Sequence, residues 1–287
     1  MKDPASEPFV TELIGRALEE DLGRGVDVTS AALLPPAAVA RARLLARERT
    51  VVAGGGVARR VFQTVEPALD VDIVVEDGGA AGSGDTLLRI EGPARGMLTA
   101  ERTALNIMQR LCGIATLTRR FVELVRPYGT QILDTRKTTP GLRRLEKYAV
   151  VCGGGTNHRM GLYDRALIKD NHRHLGGAGG STGLADAVQR IRAAYPGVPV
   201  EVEVESMEEL VAVLFAEPEW VLLDNMSPAD MARCVRTCDG RARVEASGGI
   251  TLENADAVAR SGVDAISLGC LTHSAPSVDL SLEIVAS

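Results

Sequence analysis

From residue 131 to 269 the sequence repeats one unit: a short apolar run that stops on polar or small residues, then a stretch with apolar positions at helical spacing. The runs are QILD (131–134), ALIKD (166–170), PVEVEVE (199–205), WVLLDN (220–225), RVEASGG (243–249) and DAISLG (264–269). Helical stretches at 142–150, 183–194, 207–216, 228–236 and 252–261 lie between most of them. Strands that alternate with helices in this way must form a parallel sheet, because a parallel neighbour is reached only through a crossover. Polar residues gather at the carboxyl end of nearly every run, which favours a closed or nearly closed α/β barrel with its chemistry on that rim. A doubly wound open sheet would concentrate ligand groups at one switch point, whereas five strand ends qualify here.

The first hundred residues have a different texture. Residues 7–22 carry apolar positions at helical spacing and stop at Gly23 and Gly25. From about 39 to 98 short β-rich runs are punctuated by Gly54–Gly56, Gly78–Gly79, Gly82 and Gly84, which predicts a small sheet with a helix near 57–65. A long amphipathic helix follows over Ala100–Tyr128, with a break expected at Gly113. GGAGGSTG (176–183) reads as a mobile flap near the site or as a linker, with the linker favoured. Val71–Thr86 imitates the apolar-run, acidic-pair, glycine-loop signature of a phosphoribosyl-diphosphate site, but such a loop should open a helix. Here LLRIEGPARG follows, and Gly92, Pro93 and Gly96 oppose a helix.

Composition narrows the function classes. With 45 % hydrophobic and 24 % charged residues the chain is of ordinary globular character, and its formal net charge of -6 excludes a global basic field for nucleic acid. No apolar run approaches the ~18–20 residues that span a bilayer. MKDPASEPFV has neither a basic nor an apolar leader region, so a cytoplasmic protein without a signal peptide is expected. Five cysteines fit reduced thiols, and Cys234 and Cys238, four apart on one helix, lack the second pair that a zinc site needs.

Between Asp134 and His172 the balance reverses. Eight cations (Arg136, Lys137, Arg143, Arg144, Lys147, Arg159, Arg165, Lys169) face four acids (Asp134, Glu146, Asp164, Asp170), +4 within a chain of -6. Arg143, Arg144 and Lys147 read as a solvated helix face; the others sit beside strand ends and glycines, where a small polyanion is the natural partner. Thr135-Arg136-Lys137-Thr138 offers a guanidinium fork beside a mobile point charge. In Gly153-Gly154-Gly155-Thr156-Asn157-His158-Arg159 glycines let backbone N–H groups approach a ligand next to an adjacent donor pair. Lys169 ends a strand, where burial without an anion would be costly. Glu201, Glu203 and Glu205 share one strand face opposite valines, which suits balancing buried cations or holding a metal. Glu203 with Asp224 could hold Mg²⁺ together with a diphosphate, or contact ribose hydroxyls. Ser247-Gly248-Gly249, expected to open a helix, and Leu268-Gly269-Cys270, in a turn that runs on to His273, have the make-up of late-strand phosphate turns.

These blocks together resemble the quinolinate phosphoribosyltransferase family. ALEEDLGRGVDVTS, ERTALNIMQRLCGIATLT, DTRKTTPGLRRLEKYAVVCGGGTNHRMGLYDRALIKDNH, EVEVES, LLDNMS, EASGGI and GCLTHS carry the resemblance over nearly the whole chain. It implies an incomplete α/β barrel (100–274) with an N-terminal α/β sandwich domain (1–99) that the C-terminal segment (275–287) rejoins. It also implies transfer of phosphoribose from phosphoribosyl diphosphate to quinolinate, with decarboxylation and a requirement for Mg²⁺, in at least a homodimer. By the same resemblance Arg136, His158, Arg159 and Lys169 hold the quinolinate carboxylates, Lys137 reaches the diphosphate, and Arg102 is lent across the dimer. Glu203 and Asp224 serve ribose and metal, and Ser247–Gly249 with Leu268–Cys270 cradle the 5′-phosphate. Transfer is expected before decarboxylation, since a ribosylated, cationic ring nitrogen stabilises the carbanion that loss of CO₂ leaves. Cys112 and Cys270 stand where small residues are expected, and Cys270 beside a phosphate turn suggests oxidation sensitivity. Two other readings remain open: a related transferase acting on a different anionic ring, and a non-catalytic sensor of a phosphorylated metabolite, which would not need Glu203 and Asp224.

Overall fold

In the computed structural model, which describes residues 3–23, 25–176 and 180–285, the β-rich stretch after residue 39 forms a small antiparallel sheet as expected. Helix α1 (Pro8–Leu22) precedes α2 (Val28–Leu33), which Asp27 caps by accepting the N–H of Thr29 at 3.1 Å and of Ser30 at 3.0 Å. Then come β1 (Val39–Ala46), β2 (Thr50–Val51), α3 (Gly55–Val65), β3 (Asp70–Ile73), β4 (Ala80–Ala81), β5 (Thr86–Pro93) and α4 (Ala94–Val125). The sequence 71–86 therefore opens no helix. Strands β6 (Gln131–Leu133), β7 (Ala166–Ile168), β8 (Val200–Val204), β9 (Trp220–Asp224), β10 (Arg243–Ser247) and β11 (Ala265–Ser267) alternate with helices α5 (Arg143–Cys152), α6 (Asp170–Leu175), α7 (Gly180–Ala194), α8 (Met207–Leu214), α9 (Pro228–Cys238) and α10 (Ala255–Arg260). Helix α11 (Cys270–His273) and strand β12 (Leu280–Ile284) end the described chain.

Two units emerge. The first takes the described residues up to Arg119, Arg144–Gly154 and the segment from Ser274 onward; the second takes Arg120–Arg143 and Gly155–His273. The boundary expected at 99/100 falls inside α4, a single uninterrupted helix of 32 residues. No break occurs at Gly113. That glycine instead makes room for the returning segment, since a Cβ there would run into the Pro276 carbonyl. In the first unit the sheet order is β12-β1-β5-β3, all antiparallel, with a separate β2-β4 pair. Its core includes Ile14, Leu44, Phe62, Leu88, Ile90, Met97 and Met108, all buried.

In the second unit the six strands are parallel in the order β6-β11-β10-β9-β8-β7. Strands β6 and β7, consecutive in sequence, stand at opposite edges, so the barrel is incomplete. Each central strand is covered on both faces. Val200, Val202 and Val204 are fully buried on the side that meets α7 and α8, while Glu201 and Glu203 are buried on the other. Glu205, expected on that inner face, lies past the end of β8 and is exposed. At one end of the barrel Trp220 is flanked by the guanidinium groups of Arg165 and Arg243 at 5.0 and 4.3 Å from its ring centre.

Three further expectations change. Helix α7 begins at Gly180, so the 180–183 part of the expected 176–183 flap or linker is helical, and 177–179 lie outside the described residues. Lys147 is not on a solvated face but fully buried, and Arg143 is half-buried with its Nε donating to Thr138 Oγ1 at 3.0 Å and Nη1 to the Met160 carbonyl at 3.1 Å. Of the three cations only Arg144 is exposed, paired with Glu7 at 2.9 Å. Ser247-Gly248-Gly249 does not open a helix, because α10 starts only at Ala255. Gly248 at φ 91° and Gly249 at φ 60° are both left-handed, and a Cβ on Gly248 would strike the Asn225 side chain.

Candidate active site

The carboxyl ends of all six parallel strands open onto one cavity of about 790 Å³. Thr135, Arg136 and Lys137 reach it from the end of β6, and Lys169 from β7. Glu203, Asp224 and Ser247 to Gly249 line it from β8, β9 and β10; Leu268, Gly269, Cys270 and His273 follow β11. His158 and Arg159 enter from the loop before β7. Arg102 lies elsewhere: it is exposed on α4 in the first unit.

Buried Asp134 organises this rim from beneath. Its carboxylate accepts the His158 backbone N–H at 2.9 Å and Asn157 Nδ2 at 2.5 Å, which locks the glycine-rich loop onto the end of β6. Thr272 Oγ1 donates to the Lys137 carbonyl at 2.8 Å, tying α11 to the same end. Arg159 donates from Nη1 to the Arg165 carbonyl at 3.0 Å, and Asn254 braces the β10 turn by donating to the Gly249 carbonyl at 3.0 Å.

The electrostatics ask for an anion. Burial and then the positive charge of Arg136 make the Arg159 guanidinium less basic than usual. Arg136 Nε is buried with no hydrogen-bond partner among the described residues. Two neighbouring guanidinium groups, one with an orphaned donor, are satisfied by a ligand that brings carboxylate or phosphate oxygens. Lys169 Nζ, by contrast, already meets the Glu203 carboxylate. Lys137 is exposed and points its charge over the rim.

Below the rim His158, Glu201 and Glu245 form a buried cluster. Nε2 of His158 is 3.0 Å from Glu201 Oε2 and 3.5 Å from Glu245 Oε2, and Nδ1 accepts the Arg159 backbone N–H at 2.6 Å. Both ring nitrogens are thus engaged by the protein, so His158 shapes the site through its neighbours. Burial raises the Glu201 carboxyl, but the hydrogen bond from His158 and the charge of Arg165 outweigh it and hold Glu201 below the ordinary carboxylate value. Burial and the Glu201 charge push Glu245 the other way, well above that value. Glu245 therefore holds its proton to higher pH than an ordinary carboxyl, and Glu201 releases its proton at lower pH.

This pair sets opposite pH limits on folding. Glu201, lowered in the fold, contributes stability that is present above its unfolded value near 4.5 and lost as pH falls through the folded one. Glu245, raised in the fold, contributes stability present below 4.5 and lost as pH climbs through its raised value. Glu245→Gln is therefore expected to raise the thermal midpoint relative to the unaltered protein by an amount that grows with pH, as calorimetry from pH 5 to 9 would show.

Sequence patterning does not single out Glu245, which stands in register with Leu222 and, through it, with Glu203 across three strands. Nor does it single out Ser267, Asn225, Leu167, Leu222, Ile250 and Thr251, which also line the cavity. The available signal is the same period-two alternation that marks Glu201 and Glu203: Glu245 shares its strand face with Ser247. Burial raises the Cys270 thiol, which lowers the fraction present as reactive thiolate. Cys112 is buried and raised to about 12. All five cysteines are free.

The model of the quinolinate phosphoribosyl transferase N-terminal domain matches residues 27–112, and that of the C-terminal domain matches residues 114–283. The chain is 46 % identical over 278 residues to a nicotinate-nucleotide pyrophosphorylase (carboxylating) of Mycobacterium leprae, covering 95 % of this chain and 96 % of that protein. It is 38 % identical over 277 residues to a probable nicotinate-nucleotide pyrophosphorylase (carboxylating) of Bacillus subtilis, covering 96 % and 93 %. Its fold superposes on the nicotinate-nucleotide pyrophosphorylase of Francisella tularensis with a TM-score of 0.92 at 36 % identity, over 99 % of this chain and all of that one. No helix among the described residues is long and apolar enough to cross a membrane.

Proposed function

The chain belongs to the quinolinate phosphoribosyltransferase family, and from that premise we propose which of its residues carry the reaction. The reaction itself is transfer of phosphoribose from phosphoribosyl diphosphate to quinolinate with decarboxylation, a step of de novo NAD biosynthesis. Arg136 and Arg159 hold the two carboxylates of quinolinate. The observation that carries this assignment is the buried Arg136 Nε without a partner among the described residues, beside a second guanidinium, Arg159, on which its positive charge acts. Lys169 sits beside them, and His158 fixes the loop that presents Arg159.

With the ring so held, its nitrogen attacks the anomeric carbon, whose bond to diphosphate breaks as diphosphate departs with the electron pair. Lys137 meets the charge that gathers on the leaving group, and the turns Ser247–Gly249 and Leu268–Cys270 with His273 hold the 5′-phosphate. Glu203 and Asp224 face the developing positive charge on the sugar. Their hard oxygen donors, at the ends of adjacent strands, also suit Mg²⁺, which when bound would neutralise leaving-group charge. The ring nitrogen, now cationic, draws off the electron pair left when CO₂ departs from the neighbouring carbon. Positioning and charge supply most of the rate.

Incubation with phosphoribosyl diphosphate, Mg²⁺ and carboxyl-labelled quinolinate tests this. Labelled CO₂, diphosphate and nicotinate mononucleotide should appear in equal amounts, and no CO₂ without phosphoribosyl diphosphate. A folded protein that releases no CO₂ sinks the reading and leaves the sensor or a different ring substrate. Release of free nicotinate in the absence of phosphoribosyl diphosphate would contradict transfer before decarboxylation.

A cytoplasmic homodimer that exchanges Arg102 between sites belongs to the same proposal, supported by the exposure of Arg102 on α4 and its distance in sequence from the barrel rim. Arg102→Ala and Lys169→Ala are each expected to be inactive alone. Co-expressed, they should recover about a quarter of full activity, since half the molecules are mixed dimers with one intact site of two. No recovery would show that each chain is self-sufficient.

A further inference from the structure

Of the buried cluster beneath the rim, Glu201 and Glu245 have no part in the reaction outlined above. His158, Glu201 and Glu245 converge from a loop and two strands, and none is more than 8 % exposed. Arg165 Nη1 balances Glu201 at 3.4 Å. Both oxygens of Glu245, and Glu201 Oε1, are buried without a hydrogen-bond partner among the described residues. One imidazole and two carboxylates invite a metal ion, and their separations of 3.0 and 3.5 Å would suit one. The histidine tautomer speaks against it. Nδ1 accepts the Arg159 N–H, so the ring proton sits on Nε2 and occupies the lone pair a metal would need. The chemistry left to the cluster is that of a carboxyl whose affinity for a proton is raised by burial and by the Glu201 charge.

We propose that Glu245 is the acid that protonates the ring carbon as CO₂ leaves it. This rests on the phosphoribosyl-transfer reading and adds a catalytic group to it. The balance is simple. The bond between ring carbon and carboxylate breaks, CO₂ departs, and the electron pair stays on the carbon beside the cationic nitrogen. That pair takes the Glu245 proton, a C–H bond forms, and Glu245 is left as carboxylate until solvent restores the proton after product release. Glu245 forms part of the wall of the cavity that Arg136 and Arg159 also line, next to Leu222 and level with Glu203. Burial and the neighbouring Glu201 charge raise its carboxyl well above the ordinary value, so it keeps its proton to higher pH than a solvent-exposed glutamate. The carboxylate formed on donation would face the Nε2–H of His158, with Ser267 on the neighbouring strand.

Single-turnover measurements of diphosphate and CO₂ on the full-length protein separate the two half-reactions. Glu245→Gln should still release diphosphate on the first turnover while CO₂ release slows by about 10²–10⁴-fold, the usual contribution of a general acid, and ribosylated quinolinate accumulates. Glu245→Asp keeps an acid on a shorter stem and should release CO₂ faster than the glutamine variant. A structural role gives the opposite order, because glutamine preserves the shape of glutamate and aspartate leaves a gap. Glutamine equal to the unaltered protein, glutamine faster than aspartate, or parallel loss of diphosphate and CO₂ release in both variants overturns the inference. Failure of the unaltered protein to release diphosphate is a distinct result, and it removes the phosphoribosyl-transfer reading instead.

Discussion

Arg136→Ala is expected to leave the protein folded and to lower kcat/KM for quinolinate by about 30–300-fold. Truncating one member of a desolvated charge pair costs ~2–5 kcal/mol, and ~1.4 kcal/mol is a factor of ten. The lower half of that range applies because Arg136 is only partly buried. Its buried Nε makes no hydrogen bond in the free protein, so removing it breaks little that folding depends on. The loss should fall on quinolinate. Measured with phosphoribosyl diphosphate varied at saturating quinolinate, kcat/KM should change far less, since the groups assigned to the sugar, the diphosphate and the 5′-phosphate come from other strand ends. Arg136→Lys should recover little, because a point charge does not reproduce the two parallel N–H donors of a guanidinium. Equal losses for both substrates would move Arg136 from quinolinate to a part in holding the whole rim.

The barrel is legible in the sequence because parallel strands buried on both faces leave two regular signals. Val200, Val202 and Val204 alternate with Glu201 and Glu203, and that alternation alone assigns the two carboxylates to the inner face, where they lie. Glu245 escapes for the same physical reason read in reverse. A single carboxylate between Val244 and Ala246 is ordinary in a strand, and it gains meaning only from Glu201 and His158, which lie far from it in sequence. Gly113 misleads because a glycine inside an amphipathic helix looks like a weak point, whereas the Pro276 carbonyl that explains it arrives from the far end of the chain. Helical spacing alone puts Lys147 on the surface, and its burial depends on tertiary packing that spacing does not encode. The boundary between units is hidden as well, because α4 runs through it with unbroken periodicity.

Lys169→Ala should have two effects that a second substitution pulls apart. In the fold Lys169 Nζ meets Glu203, whose side chain is 10 % exposed while that of Lys169 is 43 % exposed. Removing the lysine strands a buried carboxylate. For a fully buried pair that costs ~3–5 kcal/mol, but solvent screening on the lysine side reduces the expected loss to about 1–2 kcal/mol. At ~2–4 °C per kcal/mol for a chain somewhat smaller than this one, the thermal midpoint should drop by a few degrees. CO₂ release should fall much further, by about 10³-fold, as when one preorganised charge is deleted from a site where charge develops. In Lys169→Ala/Glu203→Gln the stranded charge is gone, so the midpoint should return close to that of the unaltered protein. Activity should not return, since the cation that faces the anionic substrates is still missing and a carboxylate that faces the sugar is lost with it. Recovery of both would reduce the Lys169–Glu203 contact to a structural ion pair and leave binding to Arg136 and Arg159; recovery of stability alone places Lys169 among the groups that act on substrate.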